Sequence, residues 1–225
     1  MINLQSVVLR WIILCVLGVS LFCPGGVVTA AATPVTVAAE SAKLDSVLGK
    51  ISAAAAGVQT ISSRMEQEKH LAAFNEVLKT SGRFAFQRPD CWRWELLQPV
   101  VSGISVCGQA GRRWHEDGGQ PQSFKLADTP WLQHFAIQVT AWTTADFTFL
   151  KEQYAITLIR QNPPTLKLVP KESAARHLIV ALEITFSPDY RYVERIVIRE
   201  SGSDYTVTNF LDVVINKPLV GDYFK

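Results

Sequence analysis

The stretch "SGRFAFQRPDCWRWELLQP", residues 81–99, alternates apolar with polar side chains on both sides of a central Pro89–Asp90. A period of two is typical of strands, in which successive side chains point to opposite faces. It places Arg88 on the same face as the two phenylalanines that precede it. The apolar residues of the pattern are Phe84, Phe86, Trp92, Trp94 and Leu96. The stretch therefore predicts two strands joined by a bend.

Beyond Pro99, the segment "VSGISVCG" at 101–108 predicts a strand that returns alongside the second one. If the chain reverses at Pro99, Cys91 and Cys107 face each other, because each lies eight residues from that proline. A cross-strand disulfide is then within reach, and it would persist in an exported protein. The alternative is two buried free thiols, because the glycine in the return strand can shift its register.

Upstream of this region, residues 40–57 predict an amphipathic helix that stops at Gly57. Residues 31–39 are expected to be a flexible lead. Residues 58–70 show a weak, mixed alternation, and "LAAFNEVLK" at 71–79 fits either a short helix or an apolar loop. The apolar stripe of the predicted helix consists of Leu44, Val47, Leu48, Ile51 and Ala55.

Downstream, repeated glycines between 103 and 119 predict a loop-rich middle. Residues 129–142 predict a second helix, with Thr129 as its N-cap and Pro130 at its first position. Its apolar stripe is Trp131, Phe135, Val139 and Trp142. The remainder, from 153 to 216, reads as five short strands separated by turn signals. That rhythm is typical of an antiparallel sheet or barrel.

The first thirty residues resemble a secretory signal peptide. Arg10 precedes an apolar run at 11–22 that is short for a membrane span, and small residues follow it. Cleavage after Ala30 or after Ala32 fits this pattern. An uncleaved anchor is the alternative, whereas a lipoprotein signal at Cys23 fits poorly because the bulky Phe22 precedes the cysteine. The mature chain is expected to be a soluble, exported monomer.

Composition excludes some partners. The chain has 22 basic and 20 acidic residues, and loss of Arg10 with the signal peptide leaves a charge near +1 (21 minus 20). This is no electrostatic footprint for nucleic acid. About 190 mature residues suit one domain, here 40–225, with a substantial core.

The sequence contains no familiar catalytic motif: G-x-S-x-G, H-E-x-x-H and the phosphate-binding G-x-x-x-x-G-K are missing. "WHEDGG" at 114–119 has metal-ligating residue types, but three consecutive residues seldom converge on one ion. A solvated loop is the simpler interpretation. We therefore expect a protein without a cofactor or metal that is not an enzyme.

Taken together, the signal peptide, the first helix, the motif at 81–99 and the ending "TVTNFLDVVINKPLVGDYF" resemble the LolA family, the periplasmic carriers of outer-membrane lipoproteins. The resemblance spans 40–225 and is strongest at 80–99. Its pattern is carried here by Gly82, Phe84, Phe86, Arg88, Pro89, Trp92, Trp94 and Pro99.

This resemblance implies an incomplete antiparallel β-barrel whose apolar cavity holds acyl chains beneath a helical lid. The family arginine at the position of Arg88 tethers the lid and participates in lipoprotein uptake and release. The implied cavity wall is Phe84, Phe86, Trp92, Trp94 and Leu96, and the implied lid residues are Trp131, Phe135, Val139 and Trp142. The alternatives are that these aromatic residues form an ordinary core and that Arg88 is a charge on an exposed sheet edge.

Two departures from the family stand out. A C-terminal extension known in some carriers is missing after Phe224, and the segment "CGQAGRRWHEDGGQPQS" differs from the usual short turn. They point to a specialised paralogue with another lipid or a restricted cargo. The leading hypothesis is a carrier that takes acylated lipoprotein, or a related lipid, from an inner-membrane release complex to an outer-membrane acceptor. A non-transporting sensor of lipid or protein, and an enzyme acting on lipid or polysaccharide, are the competing hypotheses.

Overall fold

A computed structural model describes residues 34–73, 76–115, 120–219 and 223–224. The predicted signal peptide with both cleavage positions, and residues 116–119 of "WHEDGG", lie outside this part of the chain. The helices in it are α1 Pro34–Ala56, α2 Pro130–Thr144, α3 Phe147–Gln153 and α4 Ser173–Arg176. The first six strands are β1 Thr60–Leu71, β2 Glu76–Gln87, β3 Cys91–Gln98, β4 Ser102–Cys107, β5 Ala110–His115 and β6 Gln122–Lys125. The last five are β7 Tyr154–Gln161, β8 Pro164–Pro170, β9 Ile179–Phe186, β10 Val193–Glu200 and β11 Tyr205–Ile215.

The strands form one 11-stranded antiparallel sheet in the order β6-β5-β4-β3-β2-β1-β11-β10-β9-β8-β7. The first and last strands of the sequence, β1 and β11, pair at its centre, while β6 and β7 are its edges. The sheet does not close, which confirms the predicted incomplete barrel. Neighbouring strands in the sequence pair as hairpins on either side of this central pair.

The longest hairpin, β1–β2, corrects the prediction for residues 71–79. Pairing runs continuously from Thr60 opposite Gln87 to Leu71 opposite Glu76. The end of one strand and the start of the next therefore occupy the segment that suggested a short helix or loop. The local preference for a helix is overcome because Leu71 and residues 76–79 each gain a partner in the twelve-residue ladder.

The glycine-rich middle is also more regular than predicted, since β4, β5 and β6 occupy most of it. Two of its glycines lie inside strands, where a bulky ring covers each of them. A β-carbon on Gly103 would collide with the ring of Trp114, and one on Gly111 would collide with Phe124. These glycines mark close packing rather than turns.

Helix α1 begins at Pro34, six residues before the predicted start and within the segment expected to be a flexible lead. Proline is tolerated in the first turn of a helix, and the alanines that follow favour its continuation. The predicted stripe packs as expected: Val47, Leu48, Ile51 and Ala55 are buried, and Leu44 is partly buried against the same core.

Helix α2 has the predicted bounds within two residues and begins at Pro130 after Thr129, although the Thr129 side chain makes no capping hydrogen bond. Its buried residues include Leu132 and Ala136 as well as Val139 and Trp142. The covered side of the sheet, here called the inner face, carries the apolar residues of β1–β3 and β8–β11. None of the described helices is long and apolar enough to cross a membrane.

Candidate functional site

Arg88 holds the end of α1. It lies in the turn between β2 and β3, both of which are interior strands, so it is not an edge charge. Its Nε donates a hydrogen bond to the carbonyl oxygen of Val58 at 2.7 Å, and its Nη2 donates one to the carbonyl oxygen of Ala55 at 2.9 Å. The backbone N–H of Arg88 bonds the carbonyl oxygen of Gln59 at 2.9 Å. A cation at the carbonyl end of a helix is also favoured by the helix dipole.

Asn216, which sequence reasoning missed, holds the same helix end from the other side. Its Nδ2 donates to the carbonyl oxygen of Gly57 at 2.9 Å, and its Oδ1 accepts from the backbone N–H of Gln59 at 2.7 Å. Asn216 has φ +58°, a left-handed conformation that asparagine tolerates better than most residues. The only available signal was an asparagine just after a strand, and its partners are more than 150 residues away.

The strand that follows Arg88 is joined to its neighbour by a disulfide between Cys91 and Cys107, whose Cα atoms are 4.0 Å apart. Next to the disulfide, Trp92 of β3 pairs with Val106 of β4. Both residues are seven positions from Pro99, so the chain reverses at that proline. On the other side of β3, a β-carbon on Gly82 would collide with the backbone carbonyl of Glu95. The motif glycine thus permits close approach of β2 and β3 where their register shifts.

A small apolar cavity lies between α2 and the inner face at the central pair of strands. Its walls come from β1, β2, β3, α2, β10 and β11. The lining residues are Ile61, Ser63, Phe84, Trp94, Val139, Trp142, Thr143, Val193, Ile196, Phe210 and Val213. These lining residues include no ionisable side chain, so the cavity provides an uncharged environment.

Three aromatic rings form one wall of this cavity. Phe84, Trp94 and Phe210 contact one another edge to face, with ring centroids 5.4–5.9 Å apart. Such contacts stabilise each pair beyond the burial of area. Because the three residues come from β2, β3 and β11, the wall spans both halves of the sheet.

The cavity has a volume of about 30 Å³, enough for about two water molecules. Typical ligand pockets measure roughly 300–1,000 Å³. The cavity is therefore at least about tenfold smaller than a typical ligand pocket while α2 lies in this position.

Of the ten residues associated with lipid at the sequence level, four line the cavity: Phe84, Trp94, Val139 and Trp142. The other six lie elsewhere. Phe86, Trp92 and Leu96 are buried in the core beside it, while Trp131 and Phe135 are partly buried on α2. Phe135 meets Trp92 edge to face at 5.6 Å, so this pair forms part of the contact between lid and sheet. Arg88 is at the end of α1.

The inner face becomes polar toward the far end of β1. Lys69 lies on the same face as Ser63 by strand alternation, and its Nζ bonds both carboxylate oxygens of Glu200 at 2.6 and 2.7 Å. The hydroxyl of Thr206 donates to the same carboxylate at 3.3 Å. The apolar part of the inner face ends at this ion pair.

Sequence reasoning also missed seven of the cavity-lining residues. Six of them lie on strands, and the apolar alternation of these strands did not indicate which residues face the cavity. They are Ile61, Ser63, Val193, Ile196, Phe210 and Val213. Thr143 follows the last residue of the predicted helical stripe.

The family sequence model described as "Outer membrane lipoprotein carrier protein LolA" matches residues 56–225. No curated protein sequence matches the chain. Among solved structures, a LolA superfamily protein from Nitrosomonas europaea is similar at 11% identity and a TM-score of 0.44, over 80% of this chain and 96% of that one.

Two further structures are similar at lower TM-scores. LprF from Mycobacterium bovis has 12% identity and a TM-score of 0.38, over 80% of this chain and 96% of its own. The MucA/MucB complex of Pseudomonas aeruginosa has 10% identity and a TM-score of 0.38, over 81% of this chain and 60% of that chain. These identities are low, so the family match, rather than any one structure, identifies the chain.

Proposed function

The chain belongs to the LolA family, and we propose that it is a non-enzymatic periplasmic carrier that buries the acyl chains of lipoproteins, or of a related lipid, and delivers them toward the outer membrane. The observation that carries this proposal is the uncharged, aromatic-walled cavity between α2 and the inner face of an open sheet. Each acyl methylene transferred from water into such an environment contributes about 0.8 kcal/mol.

The proposed mechanism separates a fixed part from a moving part. Arg88 and Asn216 hold the end of α1 against the sheet, while α2 covers the cavity. Outward movement of α2 enlarges the small cavity into a groove, and the acyl chains enter between α2 and the aromatic wall. Cargo leaves when an acceptor offers it a more favourable apolar environment.

The cavity supports binding rather than catalysis. Its lining includes the hydroxyls of Ser63 and Thr143, but no carboxylate, imidazole or amine from the described lining residues lies beside them. A hydroxyl nucleophile needs a base to activate it. We therefore expect no hydrolysis of ester or glycosidic substrates.

The test is native mass spectrometry of the mature protein, purified from periplasm without detergent, followed by a transfer assay from loaded protein to acceptor vesicles. Val139→Phe is expected to fill the cavity and reduce lipid load and transfer at least tenfold. Overpacking of this kind costs about 1–3 kcal/mol, so the variant is first checked for a cooperative thermal transition.

The matched control is Ile137→Phe, which adds the same ring to the same helix at a side chain that is 41% exposed. It is expected to bind and transfer cargo like the unmodified protein. Cargo binding without transfer would support the non-transporting sensor instead. Protein that arrives empty and takes up no lipoprotein or lipid would overturn the lipid-binding function altogether.

A further inference from the structure

Two side chains that line the cavity carry polar atoms for which the described residues provide no hydrogen-bond partner. They are the hydroxyl oxygen of Ser63 and the indole nitrogen of Trp142. Ser63 is 8% exposed and Trp142 is 9% exposed. Buried polar atoms are nearly always paired in folded proteins, so two unpaired atoms at one small cavity require an explanation.

We propose that Ser63 and Trp142 recognise a neutral carbonyl oxygen at the head of an acyl chain, in an ester or an amide. This inference rests on the lipid-binding function proposed above and specifies the chemistry of the cargo. The two donors would orient the acyl head while the aromatic wall contacts the chain.

Ser63 interrupts an otherwise apolar sequence of inward-facing positions. On β1 it lies between Ile61 and Met65, both buried, and opposite Phe84 of β2. An alanine at this position would leave no polar atom to bury. A hydroxyl here is therefore costly in the closed state and becomes favourable once an acceptor arrives.

The other neighbour of β1, strand β11, is irregular beside Ser63. The register of β1 and β11 shifts between Ser62 and Arg64, where β11 carries an additional residue. Asp212 adopts φ +53° within this bulge, and Val213 beside it lines the cavity. Bulges redirect side chains and are frequent next to binding sites.

The opposite wall of the cavity provides an internal comparison. Thr143 also lines the cavity, but its hydroxyl donates to the carbonyl oxygen of Val139 at 2.7 Å and is satisfied within α2. The neighbouring Trp142 has only an N–H donor, which an incoming oxygen would satisfy. Trp92 also has an unpartnered indole nitrogen, but it is fully buried outside the cavity lining and is out of reach of cargo.

The uncharged lining decides between kinds of oxygen. Burying a carboxylate without a cation beside it is unfavourable. The cavity lining contains no cationic side chain. An ester or amide carbonyl accepts a hydrogen bond without bringing a charge. The site therefore selects acylated molecules over free fatty acids, whose ionised head would remain in water.

The experiment measures the affinity of the mature protein for three synthetic lipopeptides of equal chain length. One carries two ester-linked chains, one carries amide-linked chains, and one carries ether-linked chains without a carbonyl. The unmodified protein is expected to bind the ester and the amide about fivefold or more tighter than the ether, the effect of about one net hydrogen bond. Tighter binding of both the ester and the amide than of the ether would show that the carbonyl oxygen is recognised. Tighter binding of only one of these two lipopeptides would show which linkage is recognised.

Ser63→Ala and Trp142→Phe are each expected to reduce this preference toward unity, because the ester and the amide lose a hydrogen-bond donor that the ether never used. The matched controls are Ser62→Ala, on the opposite face of β1, and Trp131→Phe, outside the cavity lining on α2. Both are expected to keep the preference. If either variant fails to fold, the ester–ether comparison in the unmodified protein and the other variant still decide.

Equal binding of ester, amide and ether by the unmodified protein would overturn this inference and leave the lipid-binding function standing. Retention of the full preference in both Ser63→Ala and Trp142→Phe would assign the carbonyl contact elsewhere and also overturn it. Failure to bind any of the three lipopeptides would overturn both the inference and the lipid-binding function.

Discussion

The two long helices cover the same face of the sheet but are held by different forces. The end of α1 is paired: Arg88 and Asn216 satisfy the carbonyl oxygens of Ala55, Gly57 and Val58. The C-terminal part of α2 borders the cavity, and the indole nitrogen of Trp142 there has no partner among the described residues. The difference supports the proposed mechanism, in which α1 belongs to the scaffold and α2 is the element that moves.

Two hydrogen bonds connect α2 to α1 and to β7. The hydroxyl of Ser52 on α1 donates to the carbonyl oxygen of Ala145 at the end of α2 at 3.3 Å. The hydroxyl of Tyr154 donates to Gln138 of α2 at 3.1 Å. Both contacts involve the C-terminal half of α2, which also provides Val139, Trp142 and Thr143 to the cavity lining. The proposed outward movement of α2 at the cavity would therefore break both hydrogen bonds.

The largest effect is expected from Arg88→Leu, which removes both guanidinium hydrogen bonds and leaves two carbonyl oxygens with fewer partners. Hydrogen bonds from charged groups contribute about 1.5–3 kcal/mol each, and solvent screening at the half-buried Arg88 lowers that figure, so we expect a loss of about 2–4 kcal/mol in the free energy of unfolding. Amide hydrogen exchange should rise in the last turns of α1. Arg83→Leu, at an exposed position on the other face of β2, should change neither quantity. Unchanged exchange in α1 of Arg88→Leu would refute the anchoring role.

A smaller loss, about 1–2 kcal/mol, is expected for Asn216→Ala, because it removes two partly exposed hydrogen bonds and places alanine at a left-handed φ. Asn216→Gly keeps the backbone freedom and loses only the side-chain hydrogen bonds. Urea unfolding of the two variants separates these contributions. Equal stability of Asn216→Gly and the unmodified protein would show that the backbone conformation alone matters here.

The smallest effect concerns Glu194 of β10 rather than α1. Burial, and then the nearby Asp189 carboxylate, raise the pKa of Glu194, which follows the cavity residue Val193. The folded state therefore favours the protonated form. This contribution is fully present below the ordinary pKa of 4.5 and is lost as pH rises through the raised value.

Glu194→Gln should accordingly stabilise the protein at pH 7 and have little effect at pH 3.5. Because Glu194 is partly exposed, the gain should stay below about 1 kcal/mol. Thermal midpoints measured at both pH values provide the test. A variant that is less stable at pH 7 would indicate that the carboxylate has a favourable role that burial and the Asp189 charge do not account for.

Local pattern was enough for much of the fold. The period of two identified β3, β4 and the last five strands, and the helical stripe and Pro130 identified α2. It was insufficient at 71–79, where a leucine and two alanines favoured a helix but pairing with β1 decided the conformation. It also misplaced Gly103, because a glycine under a tryptophan ring and a glycine in a turn have the same sequence signal.

By itself, the sequence determined the family and most of the strands and helices, because these depend on periodicity and on a motif within twenty residues. Only the tertiary structure decided which side chains face the cavity and which polar atoms there lack a partner. Ser63 and Trp142 are neighbours of a shared void although they are far apart in the chain. Such proximity depends on how a sheet pairs its first strand with its last, which no local pattern records.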